Sequence, residues 1–490
     1  MPPFGKSLSD VKNEGKSGPK SERLPASRDR RPGRAHLVGI AGAGMRALAD
    51  VLVGRGWSLS GSDVAVRSIC RMADAGVRLH EGHAAENLPP DTELVVHSDA
   101  IPPHNPELRR ATELGIPTCS YFEMVGRLTS GRRGLAVAGT HGKSTATAMA
   151  AHVLVEAGLD PTVLCGATPL GQSSGGRAGR GDLMLVEACE YRANFLHLYP
   201  RQAVILGIEP DHFDYYDAPA KLEAAFARFA RSVRPDGLIL ARHDCATTRA
   251  VTRGLPCRVT TFGIDGEADW SARGLSQRRG RYAFSIFRHD RPLCEVSLQV
   301  PGRHNVLNAL AAAALTWENG VRPKEIARAL GRFQGLHRRL ESLGTWRGAL
   351  LIDDYAHHPT EVAAALQAVR LMAPGRRLRC VFQPHQVSRT ERLLDELAES
   401  LQNADTVMVA EIFRAREGPP RQGEITAADL ARRVRCGGVE VPARHRSESI
   451  ARWLETHLAP GDVLVTMGAG DIRRICDGYI WRVGASRAAG

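Results

Sequence analysis

Leu135-Ala-Val-Ala138 runs directly into Gly139-Thr140-His141-Gly142-Lys143-Ser144-Thr145, and a helix-forming stretch follows to Ala157. A short apolar strand, a glycine turn and a helix in this order are the unit from which parallel α/β sheets are built. The glycines let backbone N–H groups turn toward a phosphate chain, and the helix N-terminus adds its partial positive charge. Lys143 has the reach for β- and γ-phosphates, and the Ser144 hydroxyl suits magnesium. The spacing is compressed relative to the general phosphate loop, with Val137 at the position where that loop has its first glycine. Alone, the loop implies a bound nucleotide phosphate and leaves the reaction open.

Outward from this loop, apolar runs alternate with helical patterns. Ala35–Ile40 reads as a strand, Met45–Arg55 as a helix and Trp57–Ser60 as a strand. Further strands are expected at Leu94–His97, Gly134–Ala138, Leu183–Glu187, Ala203–Ile208, Leu238–Ala241, Ala349–Ile352, Arg379–Phe382, Thr406–Val409 and Val463–Met467. Such alternation predicts an α/β protein of three domains in series, each a mainly parallel sheet flanked by helices. The first and third are expected to be Rossmann-like, and the central one like a P-loop NTPase. Polar, Gly/Arg-rich segments at Thr129–Arg133 and Gln334–Arg338 divide the chain into 35–130, 131–337 and 338–490. Residues 1–34 carry nine Lys/Arg against four Asp/Glu, lack apolar periodicity and read as a disordered basic tail.

Composition bounds the function. The 490 residues are 43% hydrophobic and 24% charged, ordinary values for a globular protein. No apolar run approaches the roughly 18 residues that span a bilayer, and no signal-like segment opens the chain, so no membrane insertion and a cytoplasmic location are expected. The ten cysteines are scattered without metal-ligand spacing and are expected to be mostly small core residues. Net charge is +12, of which the tail supplies +5. The remainder suits anionic small molecules, and no aromatic-interleaved basic patch points to nucleic acid.

A second glycine turn, Gly39-Ile-Ala-Gly42-Ala-Gly44-Met45-Arg-Ala47, also follows a strand and opens a helix, with Asp63 about 20 residues on, as in a dinucleotide fingerprint. Any diphosphate on a helix N-terminus fits it, a nucleotide sugar as well as NAD. Beyond the phosphate loop, Glu187 and Glu190 end one strand, and Glu209, Asp211, His212 and Asp214 follow the next. Acids so placed can hold magnesium, with His212 a possible nitrogen ligand to a second ion. Asp353-Asp354-Tyr355-Ala-His357-His358 forms a third polar strand end.

Together these segments resemble the Mur ligase family. The resemblance rests on Gly39–Met45, Ala138–Ser144, Phe195–Pro200, Gly207–His212, Pro301–Asn305, Gly335–Arg339, Asp353–Val362, Phe382–His385, Ser388–Thr390, Glu411–Arg416 and Met467–Ile472, and spans about His36 to Ile475. It implies an ATP-dependent ligase of peptidoglycan precursor synthesis that uses Mg2+. In the member it most resembles, L-alanine is joined to the lactyl carboxylate of UDP-N-acetylmuramate through an acyl phosphate. By the same resemblance, Gly139–Thr145 hold the ATP phosphates, with Lys143 catalytic. Ser144, Glu187 and His212 are magnesium ligands, and Arg339 contacts phosphate from the third domain. His304 and Asn305 lie at adenine, and Asp354 at ribose. Tyr355, His357 and Arg389 surround the amino acid, while Gly42, Gly44, Met45 and Asp63 hold the UDP-sugar. A monomer or homodimer is expected.

Two motifs depart from the family's pattern. Glu187-Ala-Cys189-Glu190-Tyr191-Arg192 stands where the family has Glu-Ala-Asp-Glu-Ser-Asp, and Gln386-Val387 replaces Arg-Tyr before Ser388-Arg389. Both bear on the second substrate: glycine or serine in place of L-alanine, or, given Glu190-Tyr191, a tripeptide as in a related recycling ligase. Two other classes compete. An NAD oxidoreductase built on Gly42 leaves the Gly139 loop without a role. A non-catalytic ATP-binding homologue fits the altered motifs.

Overall fold

The computed structural model describes residues 33–443 and 445–480. The expected tail lies outside the described residues up to residue 32, and Arg34 already opens a strand.

Three sheets follow in series. The first is built from β1 (Arg34–Val38), β2 (Ser58–Asp63), β3 (Arg78–Glu81), β4 (Leu94–His97) and β5 (Thr118–Ser120), all parallel, in the order β3-β2-β1-β4-β5. The second contains β6 (Arg133–Ala138), β7 (Thr162–Leu164), β8 (Gly176–Arg177), β9 (Leu183–Glu187), β10 (Gln202–Ile205), β11 (Leu238–Arg242), β12 (Arg258–Ile264), β13 (Trp270–Arg278), β14 (Arg281–Arg288) and β15 (Arg291–Pro301). Its order is β15-β14-β13-β12-β11-β10-β6-β9-β7-β8, so the phosphate-loop strand β6 lies inside, between parallel β10 and β9. The third comprises β16 (Glu341–Trp346), β17 (Ala349–Asp354), β18 (Leu378–Phe382), β19 (Thr406–Val409) and β20 (Val463–Met467), in the order β16-β17-β20-β18-β19 with only β16 antiparallel. The interior parallel strands are apolar almost throughout because helices cover both faces.

The expected α/β class holds. Two differences stand out. Residues 270–301 form antiparallel strands that extend the central sheet, where no strand was expected. Of the ten cysteines only Cys119, Cys165, Cys257, Cys380 and Cys476 are buried, so "mostly core" is corrected to half. No helix among the described residues is long and apolar enough to cross a membrane.

The sheets meet across two unlike seams. One apolar cluster runs continuously from Leu37, Leu48 and Leu52 on the first sheet and its helix to Met184, Phe195 and Phe226 of the central unit. Helix Ala43–Gly54 lies so close to β8 that a Cβ at Gly176 would overlap the Ala47 backbone. The third sheet has its own clusters, around Leu366 and Val465 on one face and Leu351 and Leu464 on the other. Its contacts with the central unit include the polar pairs described next.

Candidate active site

The carboxyl end of β6 carries the loop. Gly139 (φ +134°) and Gly142 (φ +80°) occupy backbone conformations that side chains rarely adopt, and Gly142 caps helix Lys143–Glu156. A Cβ on Gly142 would also overlap the Asn308 amide. Lys143 Nζ donates to the carbonyls of Gly139 (2.6 Å) and Thr140 (3.0 Å) and pairs with Glu190 at 2.8 Å. Burial opposes the charged form of Lys143, but Glu190 outweighs it and raises the pKa; Lys143 in turn holds the buried Glu190 carboxyl below its usual value. Ser144 Oγ donates to Glu187 Oε1 at 2.9 Å, and the Gly166 N–H donates to Glu187 Oε2 at 2.6 Å. His212 Nε2 lies 3.2 Å from Glu190 Oε1, while its Nδ1 is buried without a hydrogen-bond partner. His212 itself has φ +54°, a strained backbone at a polar site.

One cleft between the central and third units is lined by His141, Gly142 and Thr145 from the loop, His304 and Asn305 from the start of helix His304–Trp317, and Arg339 and Asp354 from the third unit. Seven residues assigned from sequence to ATP thus face one space. Burial, then the Arg339 charge, lower the His304 pKa to about 4, so the ring is neutral. Burial raises Asp354 to about 6, although the backbone N–H groups of Leu340 and Ala356 each donate to it at 2.7 Å. Loss of solvation lowers the Arg339 pKa, but Glu361 and Asp354 outweigh it and raise it, and the guanidinium lies 5.1 Å from the Tyr355 ring centre.

The same cleft is lined by groups to which sequence reading gave no role there: Glu209, Arg242, Thr360 and Glu361. Glu209 was read only as one of several acids suited to magnesium. Instead His141 Nδ1 lies 3.0 Å from Glu361 Oε1, His141 Nε2 lies 3.4 Å from Glu209 Oε2, and the Thr360 hydroxyl donates to Glu209 at 2.7 Å. Burial works against a charged His141, yet the neighbouring carboxylates of Glu209 and Glu361 raise its pKa to about 9. Asp211 likewise faces the third unit: Arg389 Nη2 pairs with it at 2.7 Å and Nη1 lies 2.8 Å from His385 Nδ1. The guanidinium assigned to the amino acid's carboxylate is therefore already engaged by a buried acid. Tyr355 and His357 adjoin it, with ring centres 5.5 Å apart, and burial drops His357 to about 4.

The altered motif has its own geometry. Arg192 (φ +53°) and Ala193 (φ +57°) turn left-handed, Tyr191 donates to Asp214 at 2.9 Å, and Arg416 of the third unit sits 4.3 Å over the Tyr191 ring. In the first unit, Gly42 caps helix Ala43–Gly54 and Met45 is buried. Asp63 accepts from the N–H groups of Ala41 (2.9 Å) and Ala65 (3.0 Å), shaping the turn. A Cβ on Gly44 would stand 3.1 Å from the Tyr121 ring, a tighter approach than side chains ordinarily make.

Family comparison matches all three units in order: "Mur ligase family, catalytic domain" over residues 34–133, "Mur ligase middle domain" over 137–316 and "Mur ligase, glutamate ligase domain" over 338–470. The chain belongs to the Mur ligase family. It is similar to the UDP-N-acetylmuramate–L-alanine ligase of Clostridium novyi, 38% identical with 91% of this chain and 97% of that one covered. The enzyme of the same name from Desulfitobacterium hafniense is 41% identical, covering 91% and 98%. Among solved structures, the UDP-N-acetylmuramate–alanine ligase of Thermotoga maritima superposes with a TM-score of 0.78 at 25% identity, over 93% of this chain and 100% of that one. A murein peptide ligase from Psychrobacter arcticus gives 0.70 at 26% identity, over 92% and 99%.

Proposed function

We propose that this Mur ligase joins L-alanine to the lactyl carboxylate of UDP-N-acetylmuramate while ATP is split to ADP and phosphate. The observation that carries the reading is the shared cleft, in which the phosphate loop at Gly142 faces Arg339 and Asp354 of the third unit. Identity of 38–41% over nine-tenths of the chain to ligases named for this reaction supports it.

In this reading the ATP phosphates lie on the Gly139–Thr145 backbone, and Lys143 turns its ammonium from the loop carbonyls to the phosphate oxygens. A lactyl carboxylate oxygen attacks the γ-phosphorus, and ADP leaves with the bonding electrons, giving an acyl phosphate. The alanine nitrogen then attacks the acyl carbon, loses a proton and expels phosphate. The chemistry is mostly positioning and charge neutralisation, which suits Lys143 and the partly buried Arg339. His304 and Asn305 flank adenine, and Asp354 the ribose. Tyr355 and His357 border the amino acid, and the neutral His357 can accept the amine's proton. The Arg389–Asp211 pair docks the third unit beside it. Gly42, Gly44, Met45 and Asp63 form the UDP-sugar turn.

The residues also fit magnesium: a hydroxyl and a carboxylate oxygen 2.9 Å apart beside a phosphate loop are hard-oxygen donors. Ser144 and Glu187 would hold the ion, and the unpartnered Nδ1 of His212 is suited to a second. Bound magnesium would neutralise phosphate charge as it develops. The reading places the enzyme in the cytoplasm, where ATP is supplied, as a monomer or homodimer.

Tyr191 favours a second reading, with a tripeptide as the amine, since its ring and Arg416 project a bulky pair beside His212. Phosphate release from ATP and UDP-N-acetylmuramate, with single amino acids or the tripeptide added in turn, tests both. Release dependent on L-alanine is expected; release with the tripeptide alone overturns the alanine assignment, and release with no amine overturns the ligase.

A further inference from the structure

His141, Glu209 and His358 converge at the seam between the central and third units. One ligand atom from each lies within 4.8 Å of the others. His141 Nε2 is 3.4 Å from Glu209 Oε2, and His358 Nδ1 is 4.0 Å from the same oxygen. The far nitrogen of each ring already has an acceptor: Glu361 Oε1 is 3.0 Å from His141 Nδ1, and the Pro210 carbonyl is 3.3 Å from His358 Nε2. With a ring proton toward that acceptor, the near nitrogen of each ring is left to the convergence point; on His141 a metal ion would displace the second proton that Glu209 and Glu361 favour, and on His358 the long bond from the Thr360 N–H. Metal-bound histidines are oriented in this way, by a carboxylate or carbonyl behind the ring. His141 Nε2 is buried and has no hydrogen-bond partner, and the Thr360 N–H approaches His358 Nδ1 only to 3.4 Å.

We propose that His141, Glu209 and His358 form a binding site for a divalent transition metal ion that staples the third unit to the phosphate loop. Two imidazole nitrogens and one carboxylate oxygen are the donor set of zinc and its first-row neighbours, not of magnesium. Three protein ligands leave the fourth tetrahedral position to water or a phosphate oxygen. The site shares no residue with Ser144, Glu187 or His212. It stands independently of the ligase reading, because binding is measured without substrates.

The test uses the untagged full-length protein, stripped with chelator and titrated with Co2+, whose visible absorption reports a low-coordinate nitrogen–oxygen site. One equivalent of Co2+ is expected to give this band, and one equivalent of Zn2+ to remove it. Glu361→Gln, behind His141, is expected to weaken binding about 10- to 100-fold. His358→Gln and Glu209→Gln are expected to abolish the band, with unchanged circular dichroism, while Ser144→Ala retains it. Should His358→Gln fail to fold, Glu209→Gln, a partly exposed position, carries the same reading. Absence of the band from the wild-type protein overturns the site. So does a band that survives both substitutions, or one lost in Ser144→Ala.

Discussion

The first–central seam adds a continuous apolar cluster to hydrogen bonds such as Arg55–Thr162 and Asn194–Asp99, whereas the central–third seam is marked by polar and charged pairs. Across the first, Leu48, Leu52, Met184 and Phe226 belong to one dry cluster, and Gly176 admits the Ala47 backbone without a side chain between them. Apolar burial of this kind has no alternative partner in water, so the first unit is held as part of one body with the centre. Across the second, His141–Glu361, Thr360–Glu209 and Arg389–Asp211 are polar pairs whose members water can solvate once the seam opens. The nucleotide residues lie at that second seam. A site that must admit ATP and then exclude water belongs at the contact that can open.

The comparison can be broken by substitution. The largest effect is expected from Lys143→Ala, which removes the cation of the loop: amine-dependent phosphate release per folded molecule should fall by about 100- to 1,000-fold, with native circular dichroism and a melting temperature lowered by the unpaired Glu190. Near-normal turnover would move the chemistry to another loop. Next is Arg389→Ala, which leaves Asp211 buried without its partner and costs closure about 3–5 kcal/mol. The expected result is a fall in kcat/KM of about 100-fold or more, with circular dichroism of the third unit unchanged; equal loss of fold and activity would make the pair a core element. Gly176→Val tests the apolar seam. Its side chain meets the Ala47 backbone, and overpacking costs about 1–3 kcal/mol, so the melting temperature should drop while turnover per folded molecule stays within about twofold. A selective loss of turnover would show that this seam moves too.

The smallest effect lies inside the first unit. Glu107 is buried, which raises its pKa, but the neighbouring His36 ring and bonds from Ser62 and Asn87 bring it down to about 2. A depressed folded pKa means that the stabilisation is present above the carboxyl's ordinary 4.5 and is lost as pH falls toward 2. Denaturant titrations should show this loss in the wild type and a flatter acid limb in Glu107→Gln; identical limbs would remove Glu107 from the account.

The three sheets and the phosphate loop were legible because apolar strands, glycines and helix starts act locally. The Trp270–Pro301 strands were not, since their exposed faces carry Arg and Gln and break the apolar run that marks a buried strand. Nor were the contacts of Glu209, which reach Thr360 across 151 positions: docking, not local pattern, brings them together. The acids after β10 looked like magnesium ligands for the same reason, and two of them serve the seam.

The central claim is that this cleft phosphorylates a carboxylate. UDP-N-acetylmuramate labelled with 18O in its lactyl carboxylate tests it directly, by mass analysis of the phosphate released with L-alanine. One labelled oxygen is expected in each phosphate. Phosphate without label, its new oxygen drawn from water, would contradict it.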